Sequence, residues 1–447
     1  MPPFIVKKRL KREPYRLTDK NFWCIIPNEN NFLGRNDMNE RDTLQKFCEL
    51  VLKTGVNLQK GQGLYVKCPI EKAKVAEELA RTAYLMGARN VRVDWENENL
   101  ERLNYLYAAE SALTDVPDWY VKSKNALVEE NYCYIAIAAE NPSAFAGIST
   151  ERLSAVATAR SKALKKYSDA VMGNAIRWCV ASVPTAEWAK QVYPALSESD
   201  ALDALSAAIA RTMRLGGENP VEDWKKHIAA LDRRAAYLNE KRFYSLRYSS
   251  KNGTDFTIGL ADNHKWLSAE EKAKDGVPFV ANIPTEEVFT APHRMRAEGV
   301  VKAALPLSYN GNVIDGFGIK FKGGKVVDFF AEKGYDVLKK LIETDAGTRR
   351  LGEVALIGKN SPIAKEKTLF FNTLFDENAS CHLALGQAYP TTVLGGENLN
   401  KKQLASLGLN DSVEHVDFMI GSDDLSVVGV DRNGKETVIF SDGDWVI

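Results

Sequence analysis

Hydrophobic and polar positions change their rhythm about halfway along the chain. From about residue 60 to 240, short apolar runs alternate with stretches of three-and-four spacing. Gly63–Pro69 is a strand-like run, and Glu71–Met86 carries Ala and Leu at helical spacing until Gly87-Ala-Arg-Asn90 breaks it. Val91–Asp94 predicts the next strand, and a helix is expected near Leu100–Ala112. Tyr132–Ala138 is almost continuously apolar, as a strand covered on both faces must be. Ser149 or Thr150 is available to cap a long helix, and Ala175–Ala181 reads as another strand, ended by Pro184. Two or three helices follow, to about Tyr244. Strand–helix alternation of this kind predicts a parallel sheet flanked by helices.

After about Phe243 the pattern becomes hairpin-like. Ser245–Ser250 and Thr254–Leu260 flank a Lys-Asn-Gly turn. Asn310-Gly-Asn, Lys322-Gly-Gly-Lys and Asp431-Arg-Asn-Gly434 mark further turns, and Tyr335–Glu343 is the clearest helix. The expected fold class is therefore α/β plus α+β. Residues 1–243 would form an N-terminal parallel-sheet α/β domain, and residues 244–447 a C-terminal strand-rich α+β domain.

Composition narrows the function classes. The chain has 447 residues, with Lys+Arg and Asp+Glu equal at 59 each. No basic excess points to nucleic acid, and no apolar run reaches the ~20 residues of a membrane helix. Met1–Arg12 is locally basic without a following apolar stretch, so it reads as a solvated arm and not a secretory signal. Cys24, Cys48, Cys68, Cys133, Cys179 and Cys381 lack C-x-x-C spacing and read as buried free thiols of a cytoplasmic protein. Gly61-Gln-Gly63 is not a dinucleotide fingerprint, and no G-x-S-x-G supports a serine hydrolase.

The candidate chemistry lies in the second half. His415 and Asp417 are two apart, so on a strand both face the same way. His382 lies five residues after Glu377, across Asn378, Ala379 and Ser380, a composition that suits a turn entering a helix through Leu383–Gly386. Glu287 precedes the strand-like Val288–Thr290, and Glu353 opens the apolar run to Ile357. One such carboxylate alone is usually a surface or capping group. Together, imidazoles and carboxylates are the ligand set of zinc, cobalt or manganese, and they exceed what one tetrahedral ion needs. That excess argues for two ions. Cys381 reads as a buried thiol, His264 and His293 as hydrogen-bonded structural residues, and His227 as a surface residue of a helix.

Four segments of residues 240–447 resemble the M29 metallopeptidases, the aminopeptidase T family. They are P-T-E-E-V-F-T-A-P at 284–292, R-L-G-E-V-A-L-I at 350–357, F-D-E-N-A-S-C-H-L-A-L-G at 375–386 and E-H-V-D-F-M-I-G at 414–421. The resemblance implies metal ligands at Glu287, Glu353, Glu377, His382, His415 and Asp417, and a catalytic tyrosine at Tyr389 in G-Q-A-Y-P. Either Glu286 or Glu287 is available in P-T-E-E-V; the resemblance favours Glu287.

The function so implied is a metal-dependent aminopeptidase. It would release N-terminal residues from peptides with a water activated by two divalent ions (zinc, cobalt or manganese). Glu353 would bridge the ions or take the water's proton, and Tyr389 would donate to the oxyanion. The family also implies a homodimer enclosing its sites, with the N-terminal domain as wall and dimer surface. The competing expectations are another binuclear hydrolase of small amides or esters and a non-catalytic module with one structural metal.

Overall fold

The computed structural model describes residues 37–139, 141 and 144–447. The basic stretch Met1–Arg12 and Cys24 lie outside the described residues. The expected fold class is present in both its parts. A five-stranded parallel sheet runs in the order Asn90–Glu96, Gly63–Pro69, Cys133–Ala138, Trp178–Ser182, Asn282–Ile283. Its first four strands come from the alternating half of the chain, and helices such as Ala73–Leu85, Asp118–Glu129 and Thr150–Ala163 lie between them in sequence. Ser149 does cap its helix, accepting from the Arg152 N–H. The fifth strand enters from beyond residue 243.

The second half folds into antiparallel sheets. An eight-stranded sheet includes the hairpin Ser245–Ser249 and Asp255–Leu260, and a four-stranded sheet runs Val288–Thr290, Leu351–Leu356, His382–Gly386, His415–Met419. His382–Gly386 is a strand, not the start of a helix. Leu and Ala are good helix formers, but propensity is a small term, and this run lies between two partner strands with every residue buried. Tertiary pairing overrides the propensity.

The two sheet systems meet in one apolar core that runs from Phe47 to Phe440. The segment 282–290 passes from the parallel sheet to the four-stranded one through a cis Ile283–Pro284 bond. A second junction involves Trp188, buried in the helix Ala186–Val192. Its indole N–H donates to the Phe370 carbonyl, and its ring lies 5.8 Å from that of Phe375. Downstream, Asp376 accepts from the Phe370 N–H at 2.6 Å and the Asn372 N–H at 3.0 Å. The helical layer thus holds the loop that leads to Glu377.

Trp188→Phe keeps an aromatic ring but strands a buried carbonyl. The expected cost is about 2 kcal/mol, the desolvation penalty of one orphaned acceptor, read as a lower urea midpoint. An unchanged midpoint would show that the indole hydrogen bond contributes nothing to holding the loop.

Candidate metal centre

The register of the four-stranded sheet decides which side chains meet. Glu353 pairs with Ala384, and Ala384 with Asp417, so these three form one row across the sheet. Ala355, His382 and Met419 form the next row, and Gly386 pairs with His415. Side chains alternate along a strand, so residues two apart share a face. Glu353, His382, His415 and Asp417 therefore all project from the same face. Phe289 pairs with Ala355, which places Glu287 on that face as well. Ala384 stands in the middle of the group and keeps the space between the ligand atoms open.

The distances follow from this arrangement. His382 Nε2 lies 3.3 Å from Glu287 Oε2, 3.5 Å from Glu353 Oε1 and 3.8 Å from Asp417 Oδ1. His415 Nε2 lies 3.4 Å from Asp417 Oδ1 and 3.7 Å from Glu353 Oε2. Two groups of three result, Glu287–Glu353–His382 and Glu353–His415–Asp417, each with its ligand atoms within 4.8 Å of one another. Glu353 belongs to both and turns one oxygen toward each imidazole. Glu377, which opens the short 3-10 turn Glu377–Ala379, is in neither group but feels the charges of Asp417, Glu287, His382 and Glu353.

Both imidazoles are turned the same way. His415 Nδ1 is 2.7 Å from the Gln387 carbonyl, and His382 Nδ1 is 3.3 Å from the Ser380 carbonyl. A carbonyl can only accept, so each Nδ1 carries the proton and donates. Each Nε2 is left pointing into the carboxylates, the usual arrangement of a metal-binding histidine and its outer partner.

The electrostatics ask for cations. Four carboxylates surround two imidazoles, so even with both rings protonated two negative charges remain uncompensated. Burial would hold the His415 imidazole down, but Asp417 and Glu353 outweigh it and push it up to about 10. His382 is carried well above its ordinary value in the same way, burial being overcome by Glu287, Glu353 and Asp417. Burial, then repulsion from Asp417 and Glu287, lifts Glu377 well above the carboxylate range. Glu353 is raised by burial and by Glu287 and Asp417, against its hydrogen bond to His382. Asp417 is lowered: burial opposes this, and His415 and His382 prevail. Even so, Asp417 Oδ1 is a buried oxygen that makes no hydrogen bond. A set of inward nitrogens, excess carboxylate charge and an orphaned oxygen fits divalent metal.

Tyr389 joins the group from the loop after His382–Gly386. Its ring centroid lies 4.9 Å from that of His415. Burial, then the charges of Glu353, Asp417, Glu377 and Glu287, raises its phenol, which therefore stays protonated as a donor.

The other singled-out residues fall elsewhere. Glu286, the neighbour of Glu287, turns away onto Arg214, with contacts of 2.7 and 2.9 Å. Cys381 is buried and exchanges hydrogen bonds with the Ile357 backbone at 3.3 Å. His264 Nδ1 is 3.0 Å from the Ala261 carbonyl, and His293 Nδ1 accepts from the Met295 N–H at 3.1 Å. His227 corrects the expectation of a surface residue. Its side chain is only 11% exposed and lies 3.6 Å from Glu286. Helical periodicity placed it among lysines, and the packing partner is remote in sequence. Asn378 and Arg214, described further below, also escaped the sequence reading; Asn378 was visible only as turn composition.

Comparison with known proteins gives the family. The family model for thermophilic metalloproteases (M29) matches residues 40–445. Aminopeptidase 2 of Geobacillus stearothermophilus is 44% identical over 402 residues, covering 90% of this chain and 97% of that protein. Aminopeptidase T of Thermus aquaticus is 39% identical over 409 residues, covering 91% and 99%. The structure of wild-type AmpT from Thermus thermophilus superposes with a TM-score of 0.85 at 37% identity, over 91% of this chain and all of that one. The chain belongs to the M29 family of thermophilic metalloproteases.

Proposed function

We propose that this chain, a metal-dependent aminopeptidase, removes N-terminal residues from peptides with two divalent ions held on the face of its four-stranded sheet. The observation that supports the reading is the double grouping around Glu353. One oxygen faces His382 at 3.5 Å and the other faces His415 at 3.7 Å, so Glu353 would serve both positions. Glu287 and His382 would complete one position, and His415 and Asp417 the other. Glu377 would add its carboxylate beside them. Imidazole with carboxylate suits zinc, cobalt or manganese.

The chemistry such ions supply when bound is a water whose pKa falls from 15.7 to about 7 and a polarised scissile carbonyl. The protein's own groups do the rest. The Nδ1–H bonds to Gln387 and Ser380 fix both rings in the tautomer whose Nε2 lone pair points inward. Glu353, shared between the two imidazoles, fixes the spacing of the two positions. Tyr389 keeps its proton and donates a hydrogen bond to the oxyanion as the carbonyl carbon becomes tetrahedral. Such a donor is worth about 3 kcal/mol where it has been removed by mutation.

We further place the enzyme in the cytoplasm as a homodimer, with residues 1–243 as cavity wall and dimer surface. Five described cysteines are buried free thiols, which suits a reducing compartment. Leu100, Leu103, Leu106 and Tyr107 are exposed along one helix, an apolar surface that a partner copy would cover.

The test of the main reading is hydrolysis of a panel of aminoacyl-anilides after chelation and after re-addition of zinc, cobalt or manganese. Activity should vanish and return, and elemental analysis of washed protein should find two ions per chain. His415→Ala should remain folded, lose one ion and lose activity, because it removes a nitrogen donor without touching the core. One ion per chain in the wild type, or full turnover by His415→Ala, would reject the binuclear assignment.

Tyr389→Phe should lower kcat by about two to three orders of magnitude, with metal content and KM nearly unchanged. An interaction made only in the transition state behaves so. A rise in KM alone, or loss of metal, would reassign Tyr389 to substrate binding or to structure.

Sedimentation velocity should give twice the chain mass at micromolar protein. A monomer of full activity would reject the enclosed-dimer arrangement.

A further inference from the structure

Two of the six candidate ligands lack the support of a strand. Glu287 lies just before Val288–Thr290, and Glu377 lies in the turn Glu377–Ala379. One buried amide links them. The Asn378 side chain is completely buried. Its Oδ1 accepts from the Glu286 backbone N–H at 2.8 Å and lies 3.5 Å from the Thr285 hydroxyl. Its Nδ2 donates to the Leu374 carbonyl at 3.2 Å and to Glu377 Oε1 at 3.4 Å. The same side chain therefore ties the segment bearing Glu287 to the carboxylate of Glu377.

The Glu287 segment is gripped a second time, from the helical half of the chain. Arg214 clamps the Glu286 carboxylate through both terminal nitrogens, at 2.7 and 2.9 Å. His227 Nε2 donates to the Thr285 carbonyl at 2.8 Å, and its Nδ1 accepts from Arg214 at 3.2 Å. Arg214 also lies over the Trp224 ring, 5.4 Å from its centroid. Its backbone adopts φ 59°, in the left-handed region, just past the helix Glu198–Thr212. A non-glycine residue keeps that conformation when its surroundings require it. Arg214 and His227 thus both contact residues that adjoin Glu287, at Glu286 and Thr285.

Resting on the ligand reading above, we propose that Asn378 and the Arg214–Glu286 pair are positioning residues for the metal centre. They set the placement of Glu287 and Glu377, and so the affinity of the ion held by Glu287, Glu353 and His382. They do not touch substrate or metal. They act as the outer partners of ligating carboxylates do, and losing such partners costs about 10- to 100-fold in metal affinity.

The test uses the full-length chain stripped with chelator. Zinc is titrated against a chromophoric competitor, and the metal-free melting temperature is measured in the same buffer. Asn378→Asp keeps the acceptor toward Glu286 and turns the donor into an acid oxygen facing Leu374 and Glu377. Glu286→Gln keeps the shape and removes the charge that Arg214 clamps. In each, one zinc per chain should bind about 10- to 100-fold more weakly, while the second keeps its affinity. Arg214→Lys retains the charge but not the two-pronged clamp, and should give a smaller loss at the same ion. It also serves if a more severe variant fails to fold. Unchanged affinity at both ions overturns the proposal. Equal weakening of both ions, in step with a lower metal-free melting temperature, assigns the cluster to the fold and overturns it too. Glu287→Gln is run alongside. If it keeps both ions, the ligand reading fails and the positioning role with it. If it loses one ion while the other variants keep both, the positioning role alone fails.

Discussion

The structure depends on how it tolerates four carboxylates gathered around two imidazoles. Like charges at such spacing in a low-dielectric interior repel strongly, and no arrangement of protons on two histidines neutralises four acids. Protons held by the clustered groups relieve part of this repulsion. Burial and repulsion lift Glu377 and Glu353, while His382 and His415 hold theirs well above the ordinary imidazole range. In the proposed centre, two divalent cations would replace those protons with fixed charge. The centre is then one electrostatic unit, and removing any carboxylate or imidazole changes the balance for the rest. Metal loading of such a unit necessarily displaces protons.

The sheet makes that concentration of charge possible. For most of the group, side chains on a free turn or helix end would swing apart. Here the ladder fixes the backbone, and the period of two sends Glu353, His382, His415 and Asp417 to the same side. Ala384 keeps the centre of that face clear. On the chain's other elements, the apolar core extends without interruption from the four-stranded sheet to the parallel one. The helical half therefore supports the site mechanically as well as enclosing apolar surface: Trp188 holds the loop before Glu377, and Arg214 holds the segment before Glu287.

Much of this was legible before the structure, for identifiable reasons. His415 and Asp417 are two apart in a strand-like run, so their common face could be read directly. The alternation of strands and helices to residue 240 was equally visible, because each element carries its own period. His382 was not, because Leu383-Ala-Leu is compatible with either element, and only its pairing with Leu351–Leu356 and His415–Met419 makes it a strand. The convergence of four segments onto one face is a long-range property that no local spacing encodes. The family resemblance supplied it for Glu377 and Tyr389, whose own surroundings in the sequence look like turn and loop. It could not supply Arg214 or His227, which lie outside the quoted motifs. His227 looked like a surface residue because its helix carries Lys225 and Lys226 beside it, and its burial comes from Thr285 and Glu286, far along the chain.

The two kinds of support differ in what they demand of the sequence. A ligand on a strand is aimed by the ladder and by neighbouring backbone groups, which almost any side chain permits. The Gln387 carbonyl that orients His415 is such a case, since any residue there would present the same oxygen. A ligand on a loop has no ladder, so side chains must aim it. Asn378 meets that need with one amide, whose acceptor and donor ends face opposite partners. Aspartate or leucine of similar size would lose one end or both. The residues with the least freedom to vary should therefore include those beside the loop-borne candidate ligands, as well as the candidate ligands themselves. Glu286 illustrates the point: it adjoins the candidate ligand Glu287 and has the same chemistry, yet it faces away and is held by an arginine from the other half of the chain. In the proposed centre its carboxylate would contribute by fixing where the next residue points.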